Sequence, residues 1–229
     1  MLKYDIDHIT YDDILNGKML LVDKPLKWTS FDVVKYIRKS LVSKFKIKRI
    51  KVGHAGTLDP LATGLLIICI GKETKKISKY QNQLKTYTGK FKLGETTPSY
   101  DAETKVNQTF IYDHVKETEL KNLSQKFIGK KMQRPPIFSA IKKDGKRMYE
   151  YARENKKVEI QKREIEILEF NITSFSSPFI EFQIKCSKGT YIRSIAHDFG
   201  KKLNSGSYLF ELRRTNIGNF SILNALKIE

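Results

Sequence analysis

The stretches VEIQKREIEILEFNIT (Val158–Thr173) and PFIEFQIKC (Pro178–Cys186) decide the fold class. In the second, Ile180, Phe182 and Ile184 alternate with Glu181, Gln183 and Lys185; in the first, Ile165 and Ile167 alternate with Glu164 and Glu166. A period of two places apolar side chains on one face and polar ones on the other, the pattern of a half-buried antiparallel strand. Working outward, Thr86–Leu93 repeats it, with Tyr87, Gly89, Phe91 and Leu93 against Thr88, Lys90 and Lys92. Lys18–Val22, Ile50–Val52, Leu65–Ile70 and a final Tyr208–Leu212 read as shorter strands. Helical spacing appears after Thr29 or Ser30 (Phe31, Val34, Ile37, Leu41), over Glu73–Leu84 and Glu117–Phe127, over Met148–Asn155 beyond a hairpin turn at Lys142–Gly145, and over Tyr191–Leu203. Strands and helices mix without strand–helix–strand regularity. The expectation is one α+β domain of 229 residues, a mixed, mostly antiparallel central sheet flanked by helices and loops.

Charge speaks about partners. Lys plus Arg is 43 and Asp plus Glu is 25, a formal net charge of +18 on a chain that is 40% hydrophobic, so the charge sits on a folded surface. It concentrates in two runs. Lys35, Arg38, Lys39, Lys44, Lys46, Lys48, Arg49 and Lys51 have no acidic residue among them; Lys126, Lys130, Lys131, Arg134, Lys142, Lys143, Lys146 and Arg147 have only Asp144. A run of charge is ordinarily a solvated face, but two such runs interleaved with Phe45, Phe138 and Tyr149 favour a phosphate-binding surface and a nucleic-acid partner. The longest apolar run, Leu65–Ile70, is far short of the roughly 20 residues of a membrane span, and the N-terminus carries no secretory core. Cys69 and Cys186 read as buried free thiols. A cytoplasmic location and no membrane partner are expected. His8, His54, His114 and His197 are scattered, and there is no phosphate loop or dinucleotide fingerprint, so neither a metal nor a cofactor is expected.

Two loops carry possible chemistry. Gly53-His54-Ala55-Gly56-Thr57-Leu58-Asp59-Pro60-Leu61-Ala62-Thr63-Gly64 over-specifies its backbone beside a buried strand, which suits a loop holding one polar side chain at a fixed place. An isolated Asp before Pro is ordinarily a turn residue; here it is joined by an imidazole and rigid punctuation. In Cys186-Ser187-Lys188-Gly189-Thr190-Tyr191-Ile192-Arg193 a strand runs into a helix that Thr190 can cap, leaving Arg193 on the first turn. A cation gains nothing from that end of the helix dipole, so Arg193 is expected to have a carboxylate or phosphate partner.

These residues resemble the TruB family of tRNA pseudouridine synthases. Gly53–Pro60 is similar to the family's catalytic-aspartate motif. Four more blocks follow in the family's order: Leu21–Pro25 with Thr29-Ser30; Lys85-Thr86-Tyr87 with Lys92-Leu93-Gly94; Arg134–Ala140 with Gly145-Lys146-Arg147; and Gly189–Arg193. The resemblance runs from about residue 17 to about residue 218 and implies a pseudouridine-synthase fold that isomerises uridine 55 of the tRNA T loop. It implies Asp59 as the catalytic carboxylate and Tyr87 as the ring that stacks on the target base and assists loss of the C5 proton. Arg193 would pair with Asp59; His54, Tyr191 and Leu212 would line the substrate pocket; Lys24 would sit near the bound RNA, although a turn lysine is equally read as solvated.

The chemistry asks for such residue types. The base must leave the stack to be reached, and rings replace what it loses. Breaking a glycosidic bond through a cation-like sugar needs an ionised carboxylate, as nucleophile at C1′ or as base at C2′. No cofactor is implied. Many members carry a C-terminal PUA domain, and none is expected within these residues. The partner is the T arm of tRNA, without guide RNA, and a monomer is expected. The rival readings are a guide-dependent H/ACA-type subunit and a non-catalytic RNA-folding or assembly factor.

Overall fold

The two long alternating stretches pair antiparallel as strands Arg163–Ser176 and Phe179–Cys186, with Phe170 opposite Ile184 and Ile172 opposite Phe182. The computed structural model describes residues 8–139, 141–143, 145–154 and 158–228. In chain order the first elements are α1 (Tyr11–Asn16), β1 (Lys18–Lys24), α2 (Ser30–Phe45), β2 (Val52–His54), β3 (Ala62–Ile70), a 3-10 turn (Gly71–Lys76) and α3 (Ile77–Gln81). Then come β4 (Lys85–Leu93), the pair β5 (Glu95–Thr96) and β6 (Gln108–Thr109), α4 (Glu117–Lys126) and β7 (Gly129–Gln133). The pair β8 (Lys142–Lys143) and β9 (Lys146–Arg147) precedes α5 (Met148–Arg153), β10 (Arg163–Ser176), β11 (Phe179–Cys186) and α6 (Ile192–Lys202). The chain closes with β12 (Ser207–Ile217), β13 (Phe220–Ser221) and β14 (Leu226–Lys227).

Packing divides the chain into two compact units, Met1–Tyr87 with Leu212–Glu229, and Thr88–Glu211. In the first, the sheet order is β14-β1-β3-β12, with β2 also on β3; β1 with β14 and β12 with β3 are parallel, the rest antiparallel. In the second, the order is β4-β11-β10-β7. Strands β4 and β12 contribute residues to both units. The mixed, mostly antiparallel sheet flanked by helices is thus as expected.

In the first unit α2 begins with Thr29, whose side chain and that of Asp32 cap each other's backbone amides. Its buried face, Val33, Val34, Ile37 and Leu41, packs on Leu20, Val22, Leu66, Ile68 and Ile70. The other phase of β3, Leu65, Ile67 and Cys69, packs against Met19, Leu21, Ile77 and Tyr80. Strand β3 is therefore covered on both faces, which is why Leu65–Ile70 reads as an unbroken apolar run.

In the second unit the core is aromatic. The Phe91 ring lies 4.2 Å from that of Phe182, 5.9 Å from that of Phe199 and 6.2 Å from that of Phe170. Phe91 is fully buried, so Phe91→Ala is expected to lower unfolding free energy by about 3–5 kcal/mol. Denaturant titration measures it, and a loss near zero would mean that the cluster closes over the gap.

Several elements depart from their sequence-based bounds. The helix expected over Glu73–Leu84 is a 3-10 turn followed by a five-residue helix. The Thr74 hydroxyl donates to the Gly71 carbonyl at 2.7 Å, a local bond that favours the tighter turn. The strand expected from Val158 starts at Arg163. The strand expected to end at Leu212 continues to Ile217 and is not final, because Arg214, polar in sequence, is buried in it. Thr190 does not cap α6; its hydroxyl donates to the Ser187 carbonyl at 3.0 Å and Tyr191 takes the cap position. The hairpin at Lys142–Gly145 forms, with Asp144 outside the described residues. Cys69 and Cys186 are buried and not joined in a disulfide, and burial pushes the Cys69 thiol up to about 12.

Candidate active site

The loop between β2 and β3 is held at almost every turn. The Ala55 amide donates to the Ile67 carbonyl at 2.9 Å, and the Ala62 amide to the Asp59 carbonyl at 3.0 Å. The buried Ser30 hydroxyl accepts from the Leu58 amide at 2.8 Å and donates to the Leu58 carbonyl at 3.2 Å. The Lys27 amide donates to the Pro60 carbonyl at 2.8 Å. Gly64 has φ +107° and packs so closely that a Cβ there would lie 2.3 Å from the Arg214 carbonyl oxygen, so only glycine fits.

Two buried cations complete the support. Lys24 is fully buried and donates to the carbonyls of Pro25 at 2.9 Å, Trp28 at 2.5 Å and Pro60 at 3.4 Å. Arg214, 1% exposed, donates from Nε to the Leu65 carbonyl at 2.7 Å and from Nη2 to the Gly56 carbonyl at 3.0 Å. Lys24 is therefore not a solvated turn lysine. It is an internal brace, because the turn closed by Pro25 folds its carbonyls back around the ammonium. Burial pushes Lys24 down to about 8; the nearby Asp59 carboxylate opposes that shift and Arg214 adds to it. Below about pH 8 the folded and unfolded chains both carry this charge. Between there and about 10.5 the unfolded chain holds the extra proton, so this group's contribution to stability rises with pH.

Asp59 is half-buried on this loop. His54, on β2 opposite Ile68, is also half-buried, and its Nδ1 is buried with no hydrogen-bond partner among the described residues. Burial and the Arg214 charge hold the imidazole below its usual range, favouring a neutral ring. Leu212 pairs in register with Ala62, so β12 carries it to the loop's far end. Beside it, Arg213 grips Asp23 through two nitrogens at 3.1 and 2.6 Å and reaches Thr63 Oγ1 at 3.2 Å. Tyr87 lies on β4 in the same unit, 8% exposed.

Tyr191 and Arg193 belong to the second unit. The side-chain amide of Gln133 accepts from the Tyr191 amide at 2.8 Å and donates to its carbonyl at 3.0 Å, which fixes the start of α6. The Arg163 guanidinium lies 4.6 Å from the Tyr191 ring centre. Arg193, 3% exposed, has Nε 3.5 Å from Asp101 and donates from Nη1 to the Phe138 carbonyl at 2.9 Å. The carboxylate partner expected from its place on the helix is there: Asp101 is itself held by the Ser99 hydroxyl at 2.6 Å and the Glu103 amide at 3.0 Å. Sequence reasoning missed Ser30, Asp101 and Arg214. Arg214 lay two residues beyond the strand read from the sequence, so nothing there marked it as buried.

The two basic runs differ. In the first, Arg38 donates to the Val52 carbonyl and Lys44 to the Ile9 carbonyl, both at 2.9 Å, while Lys35, Lys39, Lys46, Lys48, Arg49 and Lys51 are exposed. In the second, Lys130 lies 4.0 Å from Glu164 and Lys146 pairs with Glu154. The first run is the stronger phosphate-binding candidate. Among the described residues, no three His, Cys, Asp or Glu side chains gather in a metal-holding group, and no helix is long and apolar enough to cross a membrane.

Comparison with known proteins agrees with this architecture. The family model for TruB family pseudouridylate synthase (N terminal domain) matches residues 42–192. A tRNA pseudouridine synthase B from Flavobacterium johnsoniae is 54% identical over 221 residues, covering 96% of each chain. One of the same name from Chloroherpeton thalassium is 51% identical over 211 residues, covering 92% of this chain and 87% of that one. Among solved structures, a chain of a Cbf5-Nop10-Gar1 complex is similar with a TM-score of 0.68 at 25% identity; the match covers 96% of this chain and 54% of that one. A chain of an H/ACA RNP bound to a substrate RNA matches with a TM-score of 0.65 at 22% identity, and this chain again spans about half of its length. The fold is that of the pseudouridine synthases, and the chain belongs to the TruB family of pseudouridylate synthases.

Proposed function

We propose that this protein is a guide-independent tRNA pseudouridine synthase that converts uridine 55 of the T loop, with Asp59 as the catalytic carboxylate. The observation that carries the reading is the loop 53–64, braced by Lys24, Ser30 and Arg214, presenting the half-buried Asp59 within a region that matches the family model. Such bracing supports a carboxylate that reacts without reorganising.

In the reaction the C1′–N1 bond breaks, the uracil turns, a C1′–C5 bond forms, and the proton on C5 is lost while N1 regains one. Atoms balance without a co-reactant. Asp59 acts at the sugar, by attack at C1′ or by removal of the C2′ proton. Tyr87 stacks on the base and assists departure of the C5 proton. His54, as a neutral ring, supplies a stacking surface for the opened RNA, and Tyr191 and Leu212 are each assigned to substrate binding. Arg193 is assigned as an assisting cation in the reaction. Lys24 is assigned as a brace of the loop and not as an RNA contact. The protein acts as a monomer in the cytoplasm.

Release of tritium from C5-labelled uridine in an unmodified tRNA transcript, with no guide RNA added, tests the function. Release only with a guide RNA would favour the H/ACA-type reading, and tRNA binding with no release would favour a folding factor.

The exposed cations of the first run set an expected result for binding. The triple variant Lys46→Glu, Lys48→Glu, Arg49→Glu should weaken all RNAs alike and flatten the log–log salt dependence by roughly 0.7 to 0.9 for each phosphate that is no longer neutralised. Filter binding across a salt series measures this, and unchanged affinity would make the run a solvated face.

A further inference from the structure

Arg214 has been given no role in the reaction, yet it is the largest of the fully buried side chains. Its guanidinium ties Gly56 to Leu65 across the loop bearing Asp59, and its own backbone presses on Gly64. Among the described residues no carboxylate lies within ion-pair distance of it or of Lys24. Two buried cations thus bond only to carbonyl oxygens beneath a loop whose one carboxylate is Asp59. Burying such charge is unfavourable unless something offsets it, and carbonyl dipoles do so only in part.

Resting on the function proposed above, we infer that Arg214 is a positioning residue: it staples the Asp59 loop and, with Lys24, forms a positive cradle for its carboxylate. The charge balance supports this. The charged groups that act on Lys24 are Asp59, Arg214, Asp32 and Asp23, and Arg214 is the one that opposes its ammonium. Arg214 is also the one charged group that acts with burial on His54. The attraction between Asp59 and the Lys24 ammonium is mutual, and a charged carboxylate is what either sugar chemistry needs. The staple adds geometry. A guanidinium joins two carbonyls through a rigid planar fork, and a lysine at that place keeps the charge but lacks the fork.

The test uses Arg214→Lys and Arg214→Met in the full chain. Side-chain carbon NMR of the RNA-free protein follows titration of Lys24 and His54. In Arg214→Met both should titrate at higher pH than in the wild type, and in Arg214→Lys both should stay near their wild-type values. Single-turnover tritium release should fall at least tenfold in both variants, with tRNA affinity unchanged. Unmoved titrations in a folded Arg214→Met would overturn the cradle, and wild-type turnover by Arg214→Lys would overturn the staple. If Arg214→Met does not fold, Arg214→Gln carries the same comparison. The titrations need no substrate, so an inactive wild type would refute the proposed function while leaving them to decide the role of Arg214.

Discussion

Asp59→Asn is expected to bind tRNA as the wild type does and to form no measurable pseudouridine. The amide matches the carboxylate in size but lacks its charge and almost all of its nucleophilicity and basicity, so both routes at the sugar close. Folding should survive, because the bonds that hold the loop run through the backbone of Ala55, Gly56, Leu58, Pro60 and Leu65 and through Lys24, Ser30 and Arg214. The change also removes the carboxylate that steadies the Lys24 ammonium, so Lys24 should titrate below its wild-type value of about 8. Arg193→Ala should lose most turnover but leak, since it removes an assisting cation and not the reacting group. It should melt earlier too, because it takes from the buried Asp101 the guanidinium 3.5 Å away. Tritium release and filter binding on the same preparations separate these outcomes. Appreciable turnover by folded Asp59→Asn would sink the catalytic assignment, and joint loss of binding and folding would make the loop structural.

Tyr87→Phe should retain tRNA binding and leave the isomerisation incomplete. The ring is 8% exposed on β4, so the phenyl replacement keeps the packing and removes only the hydroxyl. With no group to help the C5 proton leave, the base should be cleaved and re-bonded without release of label. Mass analysis of digested RNA, beside tritium release, would show an adduct or re-bonded product in place of pseudouridine. Full release of label by Tyr87→Phe would leave the hydroxyl with no part in the reaction.

Local patterns were legible without coordinates. Period-two alternation at Ile165, Ile167, Ile180, Phe182 and Ile184 named the strands of the second unit, because a strand's side-chain period depends on nothing beyond the strand. The cap at Thr29 or Ser30, of which the structure uses Thr29, the buried run Leu65–Ile70 and the punctuated loop carrying Asp59 were legible as local patterns too, and the ordered motifs placed the chain in its family. Small strands such as β13 and β14 were not legible, since two residues carry no period.

What tertiary structure alone decided was where the charges go. Lys24 and Arg214 look like surface residues in a chain of net charge +18, and both are buried, because carbonyls from Pro25, Trp28 and Pro60, and from Gly56 and Leu65, converge on them. Arg193 finds Asp101, which lies 92 positions earlier by number, 193 against 101. The first basic run spends Arg38 on the Val52 carbonyl and Lys44 on the Ile9 carbonyl and leaves its other cations exposed. Composition counts charges and motifs give their order. Whether a cation is a brace, an ion-pair partner or a free surface group depends on which carbonyls and carboxylates folding brings within about 3.5 Å of it, and several of those, Pro60 for Lys24, Gly56 and Leu65 for Arg214 and Asp101 for Arg193, lie far away along the chain.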